Sequence, residues 1–179
     1  MANVQKKYVG LLGGSFDPAH KGHLGISEIA IRKLKLKKIY WVITKQNPFK
    51  TKSFYSLYER IKHAKKITKT QKKIQLIYID NIIQSSRVID VINFFIKKKR
   101  VKNIFFMIGS DNLIHFHKWK SWKKILKSVK LIVFSRKGYD RKGIKSIVAK
   151  NFKNRIIFIK NKPISVSSTQ LKRLTKFNK

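Results

Sequence analysis

Tyr8-Val9-Gly10-Leu11-Leu12-Gly13-Gly14-Ser15-Phe16-Asp17-Pro18-Ala19-His20-Lys21-Gly22-His23 passes from a short apolar strand, Tyr8–Leu12, through a glycine pair into the opening of a helix. Apolar runs of the same kind recur at Ile39–Thr44, Ile74–Ile79, Asn103–Ile108, Lys130–Ser135 and Arg155–Ile159. Between them apolar residues fall at helical spacing. Leu24 to Leu34 make one such segment, Leu57 to Ile67 a second and Val88 to Ile96 a third, with shorter ones around Ile125, Ile144–Val148 and Leu171–Leu174. Strands that are apolar almost throughout, each followed by a helix, predict a parallel sheet covered on both faces. The expected fold class is α/β, doubly wound, as a single domain over residues 1–179. Ligands in such a sheet gather at the carboxyl ends of the strands, where strand order reverses. The loops after Leu12, Thr44, Ile79, Ile108 and Ser135 are therefore expected to carry function.

The composition narrows the classes further. Of 179 residues 42% are hydrophobic, enough to bury a core, and no apolar run approaches the roughly 20 residues that span a bilayer. The polar start, Met1 to Lys7, lacks the pattern of a secretory signal, and the absence of cysteine fits a reducing cytoplasm. Lys and Arg number 44 against 7 Asp and Glu, a formal charge of +37. Such a surface adheres loosely to polyanions at low salt. Base readout and bidentate phosphate clamps favour Arg, however, and here Lys outnumbers Arg 36 to 8 and occurs in every segment. The charge reads as a solvated surface and implies no specific nucleic-acid partner. The few acids leave metal or acid–base chemistry few places to live.

The loop after the first strand is the most informative. Two glycines let the backbone approach a ligand closely, and their N–H groups can face phosphate oxygens. Asp17-Pro18 marks a turn, with Asp17 able to accept hydrogen bonds from loop amides. His20 and His23 lie three apart at a helix start, which is already an anion site, and can donate hydrogen bonds to a phosphate whose charge grows during transfer. The loop has neither the Gly-Lys-Ser/Thr of a Walker loop nor the spacing of GxGxxG, and a zinc site is the weaker alternative, since without Cys only Asp17 and Glu28 lie near enough to complete it.

Gly-Gly-Ser-Phe-Asp-Pro-x-His-x-Gly-His resembles the nucleotidyltransferase superfamily marked by His-x-Gly-His, and within it the bacterial nicotinate-nucleotide adenylyltransferases. The resemblance implies a Rossmann-like fold and adenylyl transfer from ATP to nicotinate mononucleotide, with Mg²⁺ accompanying the ATP. It places His20 and His23 on the ATP phosphates and Gly13, Gly14, Ser15 and Phe16 close to the nucleotide. Other acceptors used in the superfamily, nicotinamide mononucleotide or phosphopantetheine, are the neighbouring alternatives. A basic nucleic-acid-binding protein on the same fold is a more distant one.

Further segments extend the resemblance. Gln46-Asn47-Pro48-Phe49-Lys50 after the second strand, with Arg60 on the next helix, suggests Lys50 and Arg60 near substrate phosphates. Gly109-Ser110-Asp111-Asn112-Leu113, followed by His117-Lys118-Trp119, implies that Asp111 contacts ATP and Trp119 stacks on the nicotinate ring; an electron-poor pyridinium suits an indole face. Trp122 reads as core, and His115 and His117 as structural or exposed. Val166-Ser167-Ser168-Thr169-Gln170-Leu171-Lys172-Arg173 is similar to the family's Ile-Ser-Ser-Thr-x-Ile-Arg, implying Ser167, Ser168 and Thr169 on ATP. Lys172 stands where the family has Arg, with Arg173 beside it, and the pair is assigned to neutralising the triphosphate. A second departure is Ser85-Ser86-Arg87-Val88-Ile89-Asp90, where relatives carry a Tyr-Thr-x-x-Thr-like run.

Overall fold

A computed structural model describes residues 8–45 and 53–161. Its centre is one six-stranded sheet in the order β3-β2-β1-β4-β5-β6, parallel throughout. The strands are β1 (Val9–Gly14), β2 (Lys38–Ile43), β3 (Ile74–Ile77), β4 (Ile104–Gly109), β5 (Lys130–Phe134) and β6 (Ile156–Ile159). Each lies within about two residues of its expected bounds, and the doubly wound α/β architecture is the one expected. Alternation places Phe105 and Met107 of β4 in one core and Ile104, Phe106 and Ile108 in the other. A strand buried on both faces is apolar throughout for this reason.

Helices α1 (Lys21–Lys33) and α2 (Leu57–Thr68) cover one face, contributing Ala30 and Ala64 to its core. The short α3 (Asp80–Ile83) leads into α4 (Val88–Lys97), which covers the other face with α5 (Ser110–His115), α6 (Trp122–Ser128) and α8 (Ile147–Asn151). The helical segment expected around Ile144–Val148 is two short helices, α7 (Asp140–Ile144) and α8, parted where the Ser146 hydroxyl accepts the Ala149 N–H to cap α8. Helices α3 and α5 were not expected, because four and six residues are too few to display a helical period. The segment around Leu171 lies outside the described residues. Among those described, no helix is long and apolar enough to cross a membrane.

Capping explains where the two long helices of the first face begin. At α2 the Ser56 hydroxyl accepts the Glu59 N–H at 3.2 Å while the Glu59 carboxylate accepts the Ser56 N–H at 2.8 Å, a reciprocal capping box. At α1 two histidines play the same parts, with consequences for the site.

Candidate active site

The chain leaves β1 toward β2 on one flank and returns to β4 on the other. The carboxyl ends of β1 and β4 therefore frame the crevice of the sheet, and Gly13, Gly14 and Gly109 stand on its rim. Beyond Gly14 the chain turns back under itself: Phe16 adopts a left-handed backbone (φ 47°), and its ring is buried, stacked on Trp41 at 4.9 Å and set against His23 at 4.8 Å. The Phe16 side chain, expected close to the nucleotide, thus packs against His23 and Trp41.

His20 sits at the N-cap of α1 in extended conformation, and its Nδ1 accepts the Gly22 N–H at 3.1 Å. His23 Nδ1 accepts the His20 N–H at 3.3 Å, and the two rings lie 3.9 Å apart. An Nδ1 that accepts is unprotonated, so in each neutral ring the proton resides on Nε2. Burial, with Arg136 as a lesser cause, lowers the His20 pKa to about 4. Burial, then His20, then Arg136 put His23 well below its ordinary value. Both are thus uncharged Nε2–H donors at neutral pH. We expect His20, followed by long-range ¹H–¹⁵N spectra, to titrate near pH 4 in the free protein and higher with ATP, because a phosphate anion favours imidazolium. Because the folded pKa is depressed, its contribution to stability is complete above about pH 6.5 and is lost as pH falls toward 4. A midpoint near 6.5 in the folded state would contradict the buried, neutral pair.

The α1 opening is fastened to β2 by a buried relay. Trp41 Nε1–H donates to Ser27 Oγ at 2.9 Å, and the Ser27 hydroxyl donates to the His23 carbonyl at 2.8 Å. Both side chains are fully buried. Ser27→Ala strands the indole N–H, and chemical denaturation should show a loss of about 1–3 kcal/mol.

Carboxylates and a guanidinium tie the neighbouring loops. Asp17 accepts the amides of Phe54 and Tyr55, both at 2.9 Å, and so ties the β1 loop to the segment before α2. Arg60, expected near substrate phosphates, is 1% exposed, and its guanidinium is bonded to the Ser15, Thr44 and Lys45 carbonyls. These bonds run to main-chain carbonyls of the segments after β1 and β2. Asp80 accepts the Lys45 N–H at 2.7 Å, and burial pushes its carboxyl pKa up.

On the other side of the crevice, Asp111 in the first turn of α5 pairs with Arg136 at 3.2 Å. The Ser110 hydroxyl donates to Asp140 at 2.6 Å, and the Arg136 amide donates to both Ser110 Oγ (3.1 Å) and Asp140 (2.9 Å). The ends of β4 and β5 are thereby locked together. Gly109 leaves room for this pair, since a Cβ would run into Asp111 Oδ1 and lie 2.9 Å from Arg136 Nε unless both side chains moved. Trp119 is half-buried, its indole 4.9 Å from the Phe116 ring and 6.2 Å from that of Phe106.

The described structure brings together Gly13, Gly14, Ser15, His20 and His23 around the end of β1, with Asp111 at the end of β4. Lys50, Ser167, Ser168, Thr169, Lys172 and Arg173 lie outside the described residues. Sequence reasoning missed Arg136 and Ser27. Arg136 had a signal: an arginine in a chain whose default cation is lysine, one residue beyond a strand end expected to carry function. Ser27 had none, because its role depends on the indole of β2.

The cytidylyltransferase-like family model matches residues 11–174. A relative from Pelagibacter ubique, named "probable nicotinate-nucleotide adenylyltransferase", is 47% identical over 96% of each chain. A protein of the same name from Ruegeria is 35% identical over 73% of this chain and 68% of its own. Among solved structures, the Plasmodium falciparum nicotinic acid mononucleotide adenylyltransferase complexed with NaAD has a TM-score of 0.74. It covers 93% of this chain and 83% of its own at 18% identity, a likeness of fold.

Proposed function

The chain belongs to the cytidylyltransferase-like family, and from that premise we propose that it transfers the adenylyl group of ATP to nicotinate mononucleotide, releasing pyrophosphate and nicotinate adenine dinucleotide, a step of NAD biosynthesis. The acceptor follows the naming of the 47% identical relative. The observation that carries the chemistry is the pair of neutral imidazoles at the amino end of α1, each with Nδ1 held by the main chain and Nε2–H left to donate.

The reaction asks little of acids or bases. The attacking phosphate monoester is largely dianionic at neutral pH, its second pKa being about 6, so no general base is required. Catalysis then consists of aligning two anions and stabilising the charge that grows on the α-phosphate and the leaving pyrophosphate. His20 and His23 donate to those oxygens, and the amides at the start of α1 add a positive field. Gly13, Gly14 and the Ser15 backbone give the nucleotide close approach, and Asp111 with Arg136 borders the ATP side. Ser167, Ser168, Thr169, Lys172 and Arg173 complete the triphosphate site by resemblance, and Lys50 and Trp119 receive the mononucleotide.

Among the described residues no three His, Cys, Asp or Glu side chains converge on a metal site. The carboxylates near the crevice are engaged, Asp17 by amides and Asp111 by Arg136. We infer that Mg²⁺ enters as part of the substrate, bound to ATP. We place this single-domain enzyme in the cytoplasm, where both substrates are met and a cysteine-free chain is at no disadvantage.

The test is pyrophosphate release from ATP with nicotinate mononucleotide, nicotinamide mononucleotide and phosphopantetheine in turn. A preference of at least about tenfold in kcat/KM, roughly 1.4 kcal/mol, for the nicotinate substrate is expected. Turnover with another acceptor alone would reassign the enzyme within the superfamily. No turnover, together with nucleic-acid binding that survives physiological salt, would favour a binding protein.

A further inference from the structure

We propose that Arg60 is a positioning residue: from α2 it sets the spacing between the loop that leads into His20 and His23 and the loop that follows β2, and so governs transfer without touching substrate. The proposal rests on the reaction inferred above and concerns a residue whose role that reaction does not assign.

Arg60 Nη1 donates to the Ser15 carbonyl at 2.7 Å and to the Thr44 carbonyl at 2.8 Å, and Nη2 donates to the Lys45 carbonyl at 2.7 Å. One planar group thus spans two loops that also bond directly, Thr44 N–H to the Gly14 carbonyl at 3.1 Å. Asp17 fastens the same pair of elements in the opposite sense, reaching from the β1 loop to the amides just before α2. The β1 loop is therefore held from both ends of a short rigid frame: a carboxylate extends toward α2, and a cation extends back from it.

Energetics argue that this arrangement is more than packing. Burying a guanidinium is costly, and burial does pull the Arg60 pKa down, opposed by Asp17, Tyr78 and Asp80. A buried position on this helix does not by itself call for a cation, as apolar Ala64 shows one turn along α2. The forked donor is what an apolar residue lacks. Lysine carries a point charge and cannot hold the two loops at a fixed separation. His20 lies five residues past Ser15 with no helix between, so a displaced Ser15 carries the imidazoles with it. Misplacement of reacting groups by about 1 Å can cost about 100-fold in rate.

Arg60→Lys and Arg60→Gln in the full chain test this. We expect kcat to fall about 30- to 100-fold while both KM values stay within about threefold, because alignment fails and binding groups remain. The His20 and His23 imidazole resonances should move, with methyl signals of Leu126 and Leu131, across the sheet, unchanged. In Arg60→Ala, millimolar methylguanidinium should restore part of kcat and equimolar urea should not. Folded variants with unaltered kcat and imidazole resonances would overturn the proposal. So would activity that falls only in proportion to the unfolded fraction, or failure of both conservative variants to fold, since Arg60 would then serve the core alone. Wild-type protein that releases no pyrophosphate would refute the reaction, and the imidazole resonances would still report on the clamp.

Discussion

Replacing His23 with alanine is expected to lower kcat about 100- to 1000-fold, the usual cost of removing one donor aimed at developing charge. The loss should not be a loss of fold. His23 gives Nδ1 to the His20 amide and rests its ring on Phe16 and near Trp41, while the other half of the α1 cap, His20 Nδ1 on the Gly22 amide, remains in the variant. The cost in stability should be about 1 kcal/mol, as for other capping groups. Two further variants divide the roles. Asn at position 23 can return an acceptor to the His20 amide but offers nothing where Nε2–H stood, and should be stable and slow. Gln extends an amide donor toward the Nε2 position and should recover part of the rate. Kinetics at saturating substrates alongside thermal unfolding would decide it; equal loss of folded protein and of activity would remove His23 from the chemistry.

Gly109→Ala is expected to weaken ATP binding at least about tenfold, roughly 1.4 kcal/mol, while barely changing unfolding. A methyl group at the end of β4 has no room beside Asp111 Oδ1 and Arg136 Nε. Both are ends of partly exposed side chains, so they can swing away and leave the strand undisturbed. What is lost is their pairing, and with it the border of the crevice on the β4–β5 side. Isothermal titration with a non-hydrolysable ATP analogue would measure the effect. Undiminished affinity would show that ATP does not depend on this pair.

The fold was open to reading because a doubly wound sheet writes itself in apolar runs and helical periods, and all six strands announced themselves this way. The β1 loop stood out as the candidate site because two glycines and two histidines are bunched after one strand in a chain with only 8 Gly and 5 His. The burial of Arg60 was not legible because a sequence gives a cation no direction: on α2 it could point to solvent or inward, and the carbonyls of Ser15, Thr44 and Lys45 decide. The packing of Phe16 was hidden for a similar reason, as its left-handed backbone sets the ring against His23. The Asp17 contacts to Phe54 and Tyr55 join residues 37 and 38 positions apart, a pairing that no local pattern can encode.

The uncharged state of the two imidazoles bears on how the molecule fares in brine. Its lysines attract any polyanion, but that pull fades beyond a screening length of about 10 Å at 0.1 M salt and shortens further as ions accumulate. Hydrogen bonds made at contact by neutral rings suffer far less. Raising ionic strength should therefore strip stray nucleic acid from the surface before it impairs nucleotide turnover, so the selectivity of this strongly cationic protein sharpens as the medium grows saltier.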